Sequence, residues 1–417
     1  MSRINEQVTG LKGIRVLDFT WAGAGPFATE ILCLLGADVV KVESADRPDL
    51  LRVANRAYGW GDMNVDASPC FNDMNAGKRS ISLDLKNPAG RSAALKLAAR
   101  ADIVCDNMRA GKMEALGLGY EQLKVVKPDI ICCSVSATGR ARATETPDVP
   151  GYAPVFWAEG GGAAVTGMRG GDPVYLRAPV DMNAATLAAL GMLAALFRRG
   201  QTGQGARIDC SAIETVSMMV GDGLLARSLG LASQGLEGNS RAPYAPNDVF
   251  PCAGDDEWIA ISVETTAQWE SLCGVLAPEL LGDRSLSSRL ARWENADAIY
   301  QKLRAATRSW EAGTLAAALD ERGVSAVKCP SVAELLENGN LIARGFWKQV
   351  DHPLIGRQTV GALPFRLNPA VRERSQGGPI LGADTDAVMV EWLGTSGYEL
   401  ESLRGAGAFG QAVVAGG

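Results

Sequence analysis

The sequence predicts an α/β protein: a doubly wound, Rossmann-like large domain accompanied by a smaller α+β domain. Two observations carry this. Short apolar runs alternate with helical patterns through the first half of the chain, beginning GIRVLDFT (13–20), GPFATEILCLLGA (25–37), DVVKVES (38–44), which is the spacing of parallel β-α-β units. At 417 residues the chain also exceeds the roughly 250–300 residues that one core usually supports.

In order along the chain, 13–20 reads as a buried strand, 25–37 as a helix ending at Gly36, and 38–44 as a second buried strand. RSISLDL (79–85) alternates like a strand, and NPAGRSAALKLAARA (87–101) is a helix with Asn87 as N-cap and Pro88 near its first position. DIVCDNM (102–108) and DIICCSVSA (129–137) add strands, with a helix over 111–126 between them. The composition shifts at 237–263, where three prolines and turn dipeptides precede an alternating strand; helical patterns follow at 264–280, 284–307 and 309–322. The domains are therefore placed at 1–227 (large, α/β) and 228–328 (small, α+β), with 329–417 as a long connector and return, ending in an amphipathic helix over 378–394.

Composition narrows the function. Hydrophobic residues make up 47% and charged residues 21%, with a net charge of −6 and no basic block longer than a pair. Nucleic acid is a poor partner for such a chain, because phosphate binding needs clustered Lys and Arg. The start MSRINEQVTGLKG lacks the apolar core of a signal peptide. The longest uncharged apolar run, Ala184 to Phe197, has 14 residues, short of a bilayer span. Both features point to a cytoplasmic protein. Nine cysteines without a C-x-x-C pair read as reduced thiols. The single histidine, His352, sits in the turn-like WKQVDHPLIG. It leaves no ligand set for a His-Cys zinc cluster and little room for a Ser-His-Asp triad. No metal is expected, and catalysis falls to a carboxylate, Lys, Tyr or Cys.

Three places could carry chemistry. In DFTWAGAGPFA (18–28), the stretch Gly23-Ala24-Gly25-Pro26-Phe27-Ala28 fits G-x-G-x-x-[GA], with Glu43 about 20 residues on. That is a dinucleotide fingerprint in form. The loop is broader than the usual tight turn and Pro26 enters the helix start, so a phosphate-bearing ligand is favoured over NAD; a glycine loop that merely starts a helix is the plain alternative. Second, Lys78, Arg79, Lys86, Arg109 and Lys112 flank strand ends, where ligands of open α/β sheets bind; they form a polyphosphate site or a solvated surface. Third, Asp181 precedes the small-residue run 184–197. It is either an N-cap or a nucleophile presented by a rigid helix, attacking an activated acyl group. The glycine-rich 158–171 upstream offers backbone donors to an oxyanion.

Taken together, these segments resemble the class III CoA-transferase family, the formyl-CoA transferase and carnitine CoA-transferase group. The matching pieces are GIRVLDFT, LLGADVVKVE, NAGKRSISLDLK, DNMRAGKMEALGLGYE, KPDIICCSVSATG, VDMNAATLAALGMLAALFRR, GNSRAPYAPNDVFP and GADTDAV, in family order from about residue 11 to 390. The resemblance implies a large domain built from both chain ends with the small domain inserted, and ring-like subunits interlocked as a dimer. It implies that Asp181 is the nucleophile, passing through an aspartyl anhydride and an aspartyl-CoA thioester. It places CoA contacts at Ala22, Gly23 and Ala24, at Leu83 and Lys86, and at Asn107, Met108 and Arg109.

The same resemblance marks departures. Ser44 stands where a basic residue can meet the adenosine end, and Ala115 where an Arg can meet a phosphate; Lys41 and Lys112 are the candidate substitutes. The glycine-rich lid of the formyl-CoA enzymes is missing, which points away from formate or oxalate. Related racemases use a His where this chain has Tyr152. Trp21, Phe27, Tyr152, Phe156 and Trp157 would flank an apolar or aryl acyl group, while Arg140, Arg142 and Arg177 could clamp a second carboxylate. The implied partners are an acyl-CoA (succinyl-CoA foremost) and a carboxylic acid such as benzylsuccinate, in a homodimer or a heterodimer with a related subunit. An NAD-dependent dehydrogenase and a non-catalytic subunit of a hetero-oligomer stand as the alternatives.

Overall fold

The computed structural model describes residues 10–140, 151–231, 235–240, 242–367 and 376–410, and of Arg56, Arg177 and Ala178 the backbone alone. The chain divides into two compact units. One comprises 1–162, 175–221 and 340–417, and the other 163–174 and 222–339.

The first unit is organised by six strands: β1 (Arg15–Phe19), β2 (Asp38–Glu43), β3 (Arg79–Ser82), β4 (Ile103–Asp106), β5 (Ile131–Ser136) and β6 (Ala206–Ser211). They lie in the order β3-β2-β1-β4-β5-β6, and every neighbouring pair is parallel. A parallel sheet covered on both faces needs strands that are apolar throughout, which is why RVLDF, DVVKVE and ICCSVS carry almost no alternation. Leu17, Val40, Ile81 and Val104 meet the helix residues Ala94, Leu97, Met389 and Trp392 in one core cluster. Strand order reverses between β1 and β4, which creates a switch point with a crevice at the strands' carboxyl ends.

The helices follow local chemistry. Asn87 caps Pro88–Ala98 by accepting from the Ala89 N–H, as the sequence predicts. The helix predicted over 111–126 is two short ones, Lys112–Ala115 and Tyr120–Val126. Gly117 breaks it by taking a left-handed φ of +73°, which costs glycine nothing. Chain from the C-terminal end covers β3: the Asp84 N–H donates to the Ala408 carbonyl and Ser82 Oγ to that of Phe409.

The long helix Arg177–Thr202 packs along the first helix, Ala24–Leu34, and along β5 and β6. Its buried face, Ala184, Ala185, Ala188, Ala189, Met192 and Ala195, is small enough for close approach. Expected to open at Asp181 and to carry the apolar run 184–197, it begins earlier, at Arg177, and is 26 residues long. The connector predicted from Lys328 holds an antiparallel hairpin, Trp347–His352 with Gly356–Gly361.

The second unit has a three-stranded antiparallel sheet of Asn247–Pro251, Trp258–Ser262 and Ser325–Lys328. Phe250, Ile259, Ile261, Trp269, Leu303, Leu315 and Leu319 share its core.

Candidate active site at the switch point

The loop after β1 is fixed from three sides. Asn107, the first residue after β4, accepts the Trp21 N–H at Oδ1 (2.8 Å) and donates from Nδ2 to the Trp21 carbonyl (2.6 Å). One side-chain amide thus ties the two loops that flank the switch point. Ala22 holds a left-handed φ of +61°, a strain of about 1–2 kcal/mol for a residue with a Cβ. Its N–H donates to Asp49 Oδ1 at 3.1 Å. Gly25 packs so closely that a Cβ there would lie 2.5 Å from Thr20 Cβ and 3.0 Å from Asn107 Cγ.

Asp181 meets this loop at Gly23. A Cβ on Gly23 would stand 2.5 Å from Asp181 Oδ2 and 3.0 Å from its Cγ, so the carboxylate occupies the space that any other residue's side chain would fill. Asp181 does not cap the helix. Helix geometry begins at Arg177, and Leu176 is the N-cap. Pro179 is a first-turn residue rather than a boundary, because the first four N–H groups of a helix lack partners anyway. Asp181 therefore lies one turn inside, half-buried, with no hydrogen bond or ion pair to its carboxylate among the described residues. Burial raises its pKa, which leaves the ionised oxygen more basic and less solvated.

Beneath the loop lies a layer of buried charges. Lys78 Nζ pairs with Asp18 Oδ2 (3.0 Å) and also donates to the Pro26 carbonyl, Thr29 Oγ1 and Asn75 Oδ1. Lys41 Nζ pairs with Asp49 Oδ2 at 2.9 Å and donates to the Thr20 carbonyl. Glu43 holds Arg52 bidentately, through Nε at 2.9 Å and an Nη at 2.8 Å, and Arg52 reaches Asp66 at 2.6 Å. Lys78 and Lys41 are therefore struts of the loop, not phosphate ligands. Glu43, spent on Arg52, is withdrawn from the ribose contact that the dinucleotide fingerprint would require.

The other predicted residues scatter around this centre. Ala24 opens the first helix and Phe27 lies one turn along it. Met108 packs on the core, and its N–H donates to Asp106 Oδ1. Arg109, Lys112 and Lys86 are exposed with side chains free of ion pairs among the described residues. Leu83 is wholly buried and offers a ligand no side-chain surface. Arg79 is taken up by Asp38 and Glu391. Arg140 is no substrate clamp: it holds Glu114 at 2.8 Å and Asp106 at 3.1 Å. Tyr152 is 63% exposed, whereas Phe156 and Trp157 are buried in the core. Arg142 and the side chain of Arg177 lie outside the described residues. The glycine-rich stretch divides, with Ala163–Val174 belonging to the second unit.

His352 ends its strand, 3% exposed, and its Nδ1 accepts from the N–H groups of Leu354 and Ile355. It shapes a hairpin turn rather than a proton relay. None of the nine cysteines is in a disulfide, and burial pushes Cys132 and Cys210 up to about 12, far from the thiolate that nucleophilic chemistry needs.

One residue escaped prediction. Arg47 sits over the Trp21 ring, 4.9 Å from its centroid. An S-x-x-R turn directly after a buried strand was the available signal.

A Rossmann-like parallel sheet whose switch point holds a half-buried carboxylate, without a partner among the described residues, defines an α/β protein with a candidate active site at the carboxyl ends of its strands. The chain belongs to CoA-transferase family III, whose sequence profile matches residues 11–385. It is 31% identical over 401 residues to a succinyl-CoA:mesaconate CoA-transferase of Haloarcula hispanica, covering 94% of this chain and 99% of that protein. A succinyl-CoA–D-citramalate CoA-transferase of Chloroflexus aurantiacus is 29% identical, covering 94% and 96%. Among solved structures, a CaiB/BaiF family protein from Brucella suis superposes with a TM-score of 0.83 at 28% identity, covering 92% of this chain and 99% of that one.

Proposed function

We propose that this cytoplasmic enzyme moves CoA from succinyl-CoA to a dicarboxylic acceptor through covalent intermediates on Asp181. The observation that carries the reading is the Asp181 carboxylate, partly desolvated against Gly23 at the switch point and without a partner among the described residues. An ionised oxygen without partners is a poor way to stabilise a fold and a good nucleophile.

The steps balance without a metal or a redox partner. Asp181 attacks the thioester carbonyl, the C–S bond breaks, and CoA leaves as a thiolate with Asp181 bound to the donor acyl group as an anhydride. The thiolate attacks the aspartyl carbonyl, releasing the donor carboxylate and leaving an aspartyl-CoA thioester. The acceptor carboxylate attacks that thioester, expelling the thiolate and making a second anhydride. Attack of the thiolate on the acceptor's carbonyl yields the new CoA ester and returns Asp181.

Backbone at Ala22, Gly23 and Ala24 would meet the CoA chain. Asn107 fixes that loop, and Lys86 and Arg109 remain as free cations for the nucleotide. Phe27 and Tyr152 would line the acyl side, while Trp21, whose ring carries Arg47, would face the nucleotide. The activities of the mesaconate and D-citramalate relatives favour a C4–C5 dicarboxylate, and those two aromatic side chains extend the range to an aryl succinate such as benzylsuccinate. With Arg140 spent on Asp106 and Glu114, Arg142 and Arg177 are the remaining candidates for the acceptor's second carboxylate.

We also propose an interlocked dimer. The long helix leaves Leu190 and Phe197 exposed, Phe197 by 72%, and Gly221–Ser228 buries none of its residues. A second copy of this chain would cover those apolar side chains.

The test is chromatographic detection of a new CoA ester from succinyl-CoA with mesaconate, citramalate or benzylsuccinate, run beside Asp181→Ala. Product with wild type alone supports the reading; equal product from both proteins would refute the role of Asp181.

A further inference from the structure

We infer that Arg47 binds the phosphorylated ribose end of coenzyme A and so lets this chain distinguish CoA from 3′-dephospho-CoA. The inference rests on the transferase reading above.

Arg47 sits in the tight turn that follows β2. Its N–H donates to the Ser44 carbonyl at 3.0 Å, and the two residues form an isolated antiparallel bridge. The turn therefore fixes where the side chain starts. Its far end is fixed too, because the guanidinium lies over the indole of Trp21. Trp21 is anchored in turn, its backbone by Asn107 and its indole N–H by the Pro48 carbonyl at 3.4 Å. A guanidinium attracted to a ring in this way still has N–H groups to offer, and its fork can match a phosphate bidentately.

Elimination points the same way. Near the carboxyl ends of β1 and β2, Lys41, Lys78 and Arg52 are all buried and paired. Arg47 is exposed and has no carboxylate partner among the described residues. In open α/β sheets, residues just past the second strand meet the ribose of a nucleotide at the switch point. An acid there takes a ribose hydroxyl, while an Arg accommodates a ribose phosphate. Here the acid, Glu43, is locked to Arg52, and the next side chain offered is a cation. Of the ligands this site could take, CoA carries a phosphate on that ribose. Of the replacements suggested by the sequence, Lys41 is a buried strut, and the cation for the ribose phosphate comes instead from the β2 turn.

Titration calorimetry with CoA and with 3′-dephospho-CoA tests this on wild type, Arg47→Ala and Arg47→Lys. Wild type should bind CoA about tenfold tighter than the dephospho form, the scale of one charge-assisted contact at a partly exposed site. Arg47→Ala should lose affinity for CoA and bind the two ligands about equally, and Arg47→Lys should keep part of the preference. If Arg47→Ala discriminates as wild type does, the phosphate is read elsewhere and the inference falls. Wild type binding both ligands equally would overturn it while leaving the transferase reading intact. Wild type binding neither would overturn both.

Discussion

Two carboxylates of the larger unit flank the same loop and are treated oppositely. Asp18, at the end of β1, is wholly buried; burial pushes its pKa up, but Lys78, Lys41 and the hydroxyls of Thr20 and Thr29 outweigh that and hold it below the usual value. Asp181, half-buried on Gly23, has burial alone acting on it, and its pKa rises. Asp18 is satisfied as an ion and stabilises the loop. Asp181, on top of that loop, has no such partner among the described residues. The layer of paired charges below makes the strained backbone at Ala22 affordable, and this rigidity keeps the free carboxylate in place above.

The comparison can be broken most sharply at Asp181. Replacing it with Asn should lower CoA transfer by about six orders of magnitude, as loss of a covalent nucleophile does, while melting temperature holds or rises. The sign follows from the raised pKa. A carboxyl that protonates more readily folded than unfolded costs stability once pH exceeds the folded value, and Asn removes that cost. A substantial fall in melting temperature would mean that Asp181 is structural.

Asp18→Asn should do the reverse, leaving the buried Lys78 unpaired at a cost of about 3–5 kcal/mol, read from urea unfolding; a loss under about 1 kcal/mol would mean the layer is not a strut. For a group with a depressed pKa, that stability is present above the unfolded value and disappears as pH falls through the folded one.

Gly23→Ala comes next. Its Cβ would push Asp181 aside, and a shift of about 1 Å costs on the order of a hundredfold in kcat. A variant with wild-type kcat would show that Asp181 does not react from this position.

The smallest effect is expected at His352, whose pKa is lowered by burial, with Arg52 adding to the effect and Asp66 opposing it. Protonation would end the two hydrogen bonds that Nδ1 accepts. Wild-type stability should therefore fall by up to about 1 kcal/mol as pH drops below 6.5, the ordinary histidine value, and His352→Gln should flatten that dependence in melts taken from pH 7.5 to 5. Parallel pH profiles for the two proteins would contradict this.

What the sequence made legible was whatever depends on local pattern. The parallel strands announce themselves as apolar runs, and Asn87-Pro88 announces its helix. Charge was not legible. Lys41 and Lys78 stand at strand ends as phosphate ligands would, and only the fold reveals Asp49 and Asp18 beside them. Arg140 likewise turns inward to partners 26 and 34 positions away in sequence. The start of the long helix was misplaced because Pro179 reads equally well as a boundary and as a first-turn residue. Arg47 was missed because its partner, Trp21, comes from a different loop. The candidacy of Asp181 came from the family pattern, whereas its contact with Gly23 was not readable.

Peptide mapping by mass spectrometry, after incubation with succinyl-CoA and hydroxylamine, tests the central claim most directly. An acyl-activated Asp181 should be trapped as a hydroxamate on the peptide that contains it, only when the CoA ester is present. An unmodified Asp181 in a preparation that is turning over succinyl-CoA would contradict the account, because transfer would then proceed without the covalent aspartyl step.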